Sequence, residues 1–240
     1  MKWILLITIE ADGQMIDNNN KISVIIRSKN EERWIGHSIQ SVIDSFKNVE
    51  IIVIDNGSTD ESMFIVRNFV EDPNLKNKNG SYADIQIYNL KDYTPGKSLN
   101  FGVSKCSNEV IMILSAHCVI QKFNKELFEK LNKYSCLFGK QIPIWNGKKI
   151  SKRYIWSHFI DEEKINMYSE LENRYFFHNA ASLFKKQLLV DLPFNENLTG
   201  KEDRYWVNSY VQNKNQFLYT PLLEVHHHYT VNGNTWKGLA

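Results

Sequence analysis

The stretch from Lys21 to Ser62 writes one pattern twice. "KISVIIRS" is a short, β-branched apolar run, the composition of a strand buried on both faces. It runs into "SKNEERWIGHSIQSVIDSF", where Trp34, Ile35, Ile39, Val42, Ile43 and Phe46 fall on one helical face and Glu31 and Glu32 occupy the expected first turn. "VEIIVIDNGSTDES" begins again: a buried strand, a turn of Asp, Asn, Gly and Ser, then a helix through Phe64, Ile65 and Phe69. Successive strand–turn–helix units argue for a parallel sheet with right-handed crossovers. The expected fold class is α/β, with a mostly parallel central sheet and helices on both faces.

The rest of the chain continues in this style. A third strand is expected around Ile85 to Tyr88, and "PGKSLNFGVSKC" reads as a loop entering a short helix. "EVIMILSAHCVI" reads as a fourth strand and "NKELFEKLNKY" as a helix. After Cys136 the pattern loosens. "RYFFHNAASLFKKQLLVDLPF" holds a strand and then a helix, and "LTGKEDRYWVNSYVQNKN" puts two acids at the start of another helix. "FLYTPLLEVHHHYT" is a final strand running into a histidine cluster. "MKWILLITIEADG" reads as a strand or an ordered arm, too short an apolar run to span a bilayer. The 240 residues suit one domain with a sizeable core, and a net charge of +2 gives no argument for nucleic acid. Cys106, Cys118 and Cys136 are odd in number and lack a CxxC pair, which fits a reducing compartment and a cytoplasmic protein.

In an open α/β sheet, ligands bind beyond the carboxyl ends of the strands. The turns there carry Arg27 and Ser28, then Asp55, Asn56 and Ser58, then Ser115 and His117. A carboxylate or amide at the second turn can meet a base edge or a ribose hydroxyl. "DNGSTD" is equally well a turn with a helix cap, because Asp, Asn, Gly and Ser suit turns for their own reasons.

Three stretches together tip that balance. "SVIIRSKNEERWIGHSIQSVI" with "VEIIVIDNGSTDES" resembles the amino-terminal half of family-2 glycosyltransferases, which have the GT-A fold. "YTPGKSLNFGVSKCSNEVIMILSAHCV" is similar to that family's G-K/R-x-x-N-x-G loop and the strand bearing its D-x-D. "TGKEDRYW" resembles the late E-D motif. The likeness runs over most of Ile22 to Tyr229. It implies a single GT-A domain over residues 1–240: a Rossmann-like donor half at about 21–120, and an acceptor and catalytic-base half at about 121–240.

Residue by residue, the resemblance implies that Asp55 and Asn56 bind base and ribose, with Arg27 and Ser28 lining the same pocket. Lys97 and Asn100 would approach the nucleotide-sugar. Ser115, Ala116 and His117 stand at the D-x-D position. Glu202 and Asp203 match the E-D pair, whose aspartate is the catalytic base. Both D-x-D carboxylates are missing here. Sugar transfer needs the anomeric carbon held against the acceptor oxygen, charge on the diphosphate neutralised, and the acceptor proton removed. One base and a direct displacement invert the sugar.

Neutral imidazole suits transition metals such as Mn or Zn better than Mg. Strand alternation sends His226 and His228 to one side and His227 to the other. His117 with His226 or His228 therefore forms one expected site for a divalent ion, Mn or Mg by the resemblance. The other reading is that His117 hydrogen-bonds a phosphate or a carbonyl and no metal binds; Lys97, Lys201 and Arg204 would then neutralise the diphosphate. Adjacent strand residues point apart, so Cys118 and His117 are not expected to meet. Cys106 and Cys136 read as core residues. Trp145 and Trp156 lie on the acceptor side by the resemblance, and His178 and Asn179 near the donor sugar. "GKKISKRY" is a solvated loop, or else a peripheral contact with an acidic membrane surface or acceptor.

The reading these features support is an inverting glycosyltransferase moving a sugar from a nucleotide diphosphate, uridine-linked, to a hydroxyl of a glycan or lipid-linked glycan at the inner face of a membrane. A catalytically silent module binding a glycan or protein is the rival from another class. A nucleotidyltransferase would need a G-x-G-x-R-like loop after the first strand, and "RSKNEE" is not one.

Overall fold

The computed structural model describes residues 21–71, 83–150 and 154–229. The arm read from "MKWILLITIEADG" and most of the polar loop before the third strand lie outside them. The chain runs β1 (Ile22–Ser28), α1 (Ile35–Ser45), β2 (Val49–Asp55), α2 (Ser62–Glu71), β3 (Ala83–Asn89), α3 (Pro95–Lys105) and β4 (Val110–Ser115). It continues with β5 (Cys118–Phe123), α4 (Glu126–Tyr134), β6 (Cys136–Trp145) and the short strands β7 (Lys148–Lys149), β8 (Lys164–Ile165), β9 (Tyr168–Ser169) and β10 (Arg174–Tyr175). A 3-10 turn, Tyr154–His158, precedes β8. Last come β11 (Ala181–Lys185), α5 (Lys186–Asp191), α6 (Glu202–Gln212) and β12 (Leu218–His228).

The main sheet is ordered β3-β2-β1-β4-β11-β6-β12-β5. Its first four strands are parallel, as the repeated strand–turn–helix units require. β11 enters antiparallel between β4 and β6, and β12 runs parallel to β6 and antiparallel to β5. Each face carries its own core. Ile22, Val24 and Ile26 of β1 pack with Ile39 and Val42 of α1, Val66 of α2 and Leu127 of α4. Ile25, Ile52 and Ile54 pack on the other face with Leu99 and Val103 of α3, Leu189 of α5 and Trp206 of α6. Helices therefore cover both faces, and β1 and β2 are buried nearly throughout.

Several local expectations change. The helix through Phe64, Ile65 and Phe69 is α2, but Phe64 is 59% exposed, and Met63 and Val66 are turned inward. The loosened stretch after Cys136 is the ten-residue strand β6. Gly139 hides it from pattern reading yet is what allows it: a Cβ there would lie 2.4 Å from Leu223 Cγ and 2.7 Å from the Leu223 carbonyl oxygen. "EVIMILSAHCVI" is two strands rather than one, because Ala116 and His117 form a turn between β4 and β5. Glu31 and Glu32 precede α1 instead of forming its first turn.

Candidate active site

The register of β1 places the first, second and fourth strand ends side by side. Ser28 pairs with Asp55 of β2, and Arg27 with Ser115 of β4. The loops beyond are laced together. Asn30 N–H donates to Ser58 Oγ at 2.9 Å, Glu31 N–H to Ser62 Oγ at 2.7 Å, and Thr59 N–H to Asn30 Oδ1 at 2.8 Å. Gly57 sits at φ +67°, a left-handed conformation that suits glycine. Asp55 is buried. Both its carboxylate oxygens accept from Ser58 N–H at 3.1 Å, and Oδ1 also accepts from Ser58 Oγ at 2.6 Å. The turn-forming reading of "DNGSTD" is thus realised, and the same contacts hold the carboxylate at the rim. Asn56 N–H donates to the Ser28 carbonyl, which ties the two turns at 2.9 Å.

The E-D pair arrives from the far end of the chain. Glu202 begins α6, and its Oε1 lies 3.1 Å from Arg27 NH1, which also donates to the Pro95 carbonyl at 3.2 Å. Burial pulls the Arg27 pKa down, but Tyr93 and Glu202 outweigh it and the net shift is upward. Asp203 Oδ1 accepts from Arg204 N–H at 2.8 Å, and Oδ2 accepts from Asn179 N–H at 3.3 Å. One residue on, the Ala180 carbonyl accepts from Ser115 N–H at 3.0 Å. Asp203 therefore stands two short hydrogen-bonded steps from the end of β4.

His117 is buried, its Nδ1 2.9 Å from Glu31 Oε1. Its expected partners are corrected. Alternation along β12 holds, but the side facing His117 is that of His227, whose ring centroid lies 5.0 Å away. His228 stacks on Trp34 at 3.7 Å, and its N–H donates to the His117 carbonyl. His226 is only partly buried and lies on the same side as His228. The turn at Ala116–His117 also voids the strand argument that kept Cys118 from His117. Ligand atoms of His117, Cys118 and His227 all fall within 4.8 Å of one another. Burial lowers the pKa of His227 well below its usual value and that of His228 to about 4. These imidazoles are neutral near pH 7, the form that binds metal.

Two expected donor-site residues are occupied elsewhere. Asn100 braces α3: its Nδ2 donates to the Phe194 carbonyl and to Glu196 Oε1, both at 2.9 Å, and its Oδ1 accepts from Phe194 N–H at 2.9 Å. The Lys97 ammonium pairs with Asp92. Sequence reading missed Arg174, which, with Arg204, shares the carboxylate of Glu172. Burial and then Arg204 lower the Arg174 pKa, while Glu172 and Asp203 pull it up. It also missed Glu31 as the partner of His117. Trp156 turns its ring edge to His227 at 5.8 Å, while Phe176 and Phe177 are core.

Orphaned polar atoms gather around this rim. Ser28 Oγ, Glu31 Oε2, Asn179 Nδ2, Trp156 Nε1 and Arg174 Nε are buried without a hydrogen-bond partner among the described residues. Such atoms are few in folded proteins, and a cluster of them is a mark of a binding surface. With imidazoles, a thiol and the unmatched Glu31 oxygen close together, the donor set fits a divalent transition metal. A cavity of about 690 Å³, lined by Ser107, Glu109, Phe128 and Val190, lies where β4 begins, at the opposite end of the sheet's strands.

The sheet order and its covering helices are those of the GT-A fold. Residues 23–192 match Glycosyl transferase family 2, and the chain belongs to that family. It is 28% identical over 195 residues to the GalNAc(5)-diNAcBac-PP-undecaprenol beta-1,3-glucosyltransferase of Campylobacter jejuni, covering 79% of this chain and 60% of the relative's length. A stretch of 52 residues is 38% identical to the 4,4'-diaponeurosporenoate glycosyltransferase of Staphylococcus aureus, covering 22% of this chain and 14% of that protein. Among solved structures, S. aureus TarS 1-349 in complex with UDP-GlcNAc superposes with a TM-score of 0.61 at 19% identity, covering 88% of this chain and 59% of that one. GalNAc-T7 with UDP, GalNAc and Mn2+ gives 0.64 at 17% identity, covering 90% of this chain and 45% of that one. At these identities the superpositions speak for the fold alone.

Proposed function

We propose that this protein is an inverting glycosyltransferase that moves a sugar from a uridine-linked nucleotide diphosphate to a hydroxyl of a lipid-linked glycan, with Asp203 as the general base. The observation that carries the reading is the convergence of α6 on the strand ends: Glu202 on Arg27 at 3.1 Å, and Asp203 on Asn179 at 3.3 Å. Asp55, Asn56 and Ser28 would hold the base and ribose, and Ser115 the adjoining phosphate side. A carboxylate within hydrogen-bonding reach of the acceptor hydroxyl takes its proton as the new bond forms. The amide donors on both Asp203 oxygens hold that carboxylate aimed. Arg27 holds Glu202 fixed, so the start of α6 does not shift as charge builds. Arg204, with Arg174 behind it, offers positive charge to the departing diphosphate. A divalent ion held by His117 and His227 would supply further neutralisation of that diphosphate.

The acceptor class is inferred from the C. jejuni relative, whose named substrate is an undecaprenol-linked glycan. It implies work at the cytoplasmic face of a membrane. Among the described residues no helix is long and apolar enough to cross one.

The test is incubation with a panel of nucleotide-sugars, following nucleotide release with and without lipid-linked glycans. Turnover of one uridine-linked donor, accelerated by acceptor and giving an inverted anomeric centre by NMR, is the expected result. No binding or turnover of any donor would instead mark a silent glycan-binding module.

A further inference from the structure

Asn100 commits its amide to one distant segment. Nδ2 donates to the Phe194 carbonyl and to Glu196 Oε1, and Oδ1 accepts from Phe194 N–H, each at 2.9 Å. Both amide hydrogens are engaged, so neither is left for a nucleotide-sugar. We propose that Asn100 is a positioning residue for Asp203, acting through Phe194 and Trp206 and touching no substrate. The proposal rests on the reading of Asp203 as the base.

The chain of contacts is short. Asn100 holds both backbone polar groups of Phe194, so that residue cannot turn without breaking two hydrogen bonds. The Phe194 ring is buried against Trp206 of α6, with ring centroids 5.7 Å apart. Trp206 Nε1 donates to the Leu192 carbonyl at 2.8 Å, two residues before Phe194. Trp206 is thus held by its ring and by its N–H, both from the segment that Asn100 grips. Asp203 stands three residues earlier on α6, on the same side of the helix. One turn of α-helix is closed by its own hydrogen bonds, so what fixes Trp206 fixes Asp203.

Neighbouring contacts act in the same direction. Thr94 Oγ1 donates to the Glu196 carbonyl at 2.7 Å. Gly96 lets α3 lie against the segment: a Cβ there would come 2.3 Å from the Asn195 carbonyl oxygen. Arg27 NH1 donates to the Pro95 carbonyl and to Glu202, which ties the first turn of α3 to the start of α6. Loss of the Asn100 amide strands the Phe194 N–H and C=O, and the segment must shift to find other partners. A misplacement of about 1 Å can cost about 10²-fold in rate. Donor binding is untouched, because Asn100 stands outside the donor pocket.

The experiment compares Asn100→Ala, Asp203→Asn and the double variant in the full chain. Leu131→Ala, in the core on the opposite face of the sheet, controls for lost stability. With the donor and acceptor that the nucleotide-sugar panel selects, kcat should fall about 10- to 100-fold in Asn100→Ala. Its Kd for UDP, by calorimetry, should stay within about twofold, and Leu131→Ala should keep its kcat at a temperature where both are folded. The double variant should fall no further than Asp203→Asn, because a missing base has no position to lose. Hydrogen exchange needs no substrate, and in Asn100→Ala it should quicken in α6 from Trp206 to Tyr210 but not in α1. Should Asn100→Ala not fold, Phe194→Leu, which keeps the backbone bonds and slackens the ring contact, is read the same way. Unchanged kcat, unchanged exchange in α6, a loss carried by UDP affinity, or a double variant that multiplies the two losses would overturn the positioning role alone. Full transfer by Asp203→Asn would overturn the base assignment and this role with it.

Discussion

Arg27→Met removes the one cation bonded to Glu202 among the described residues and keeps the volume of the side chain. The pair is 3.1 Å apart, with side chains 20% and 9% exposed, so solvent offers Glu202 little compensation. Breaking a buried pair by removing one partner costs about 3–5 kcal/mol. The start of α6 offsets up to about 1 kcal/mol of that, because Glu202 sits at the positive end of the helix dipole. The lost bond to the Pro95 carbonyl adds about 1 kcal/mol. A net loss of about 3–5 kcal/mol lowers the melting temperature of a chain of this size by roughly 6–20 °C. Urea and thermal unfolding of Arg27→Met, Glu202→Gln and the double variant would measure it. Most of the loss should be recovered in the double variant, because the stranded charge is then gone. A single-variant loss under about 1 kcal/mol, or a double variant that simply adds the two singles, would refute a buried structural pair here.

Acid should loosen the site. Burial lowers the pKa of His178, His227 and His228, the last to about 4. The unfolded chain therefore binds more protons than the folded one below its ordinary value of about 6.5. Stability is complete above about pH 6.5 and is lost as the pH falls from there towards 4, so urea unfolding at about pH 5 should give less than at about pH 7.5. A flat or rising profile would contradict neutral, buried imidazoles. Asn100→Ala removes the brace on Phe194 and Glu196 and should cost about 2 kcal/mol of stability. Calorimetric affinity for the donor nucleotide should stay unchanged; a large loss would return Asn100 to the binding surface.

The first half of the chain was legible because it is built from local rules. Buried parallel strands read as unbroken apolar runs, and the turns after β1 and β2 announce themselves in Asn, Asp, Gly and Ser. Contacts between distant segments were not legible. β6 escaped because Gly139 and Gln141 answer to Leu223, His178 and His227, residues far away in the chain. The His117–His227 pairing escaped for a related reason. Alternation told which histidines share a face, but only the sheet order says which face meets the β4–β5 turn. Glu31 read as a helix-turn acid, since nothing nearby in sequence predicts a histidine 86 positions on. Asp203 was readable only through the family's motif, and its place beside Asn179 rests on β11 entering antiparallel between β4 and β6.

The central claim is that Asp203 removes the acceptor proton. Asp203→Asn keeps the side chain's shape and an oxygen to accept from Asn179 or Arg204, so the fold and donor pocket should survive. Transfer to acceptor, measured at saturating donor, should fall by about 10²- to 10⁴-fold, the share a positioned base contributes. Donor affinity, measured by calorimetry on the same variant, should stay within about twofold, because the lost interaction belongs to the transition state. Full transfer by Asp203→Asn, or a loss explained entirely by weaker donor binding, would contradict the account.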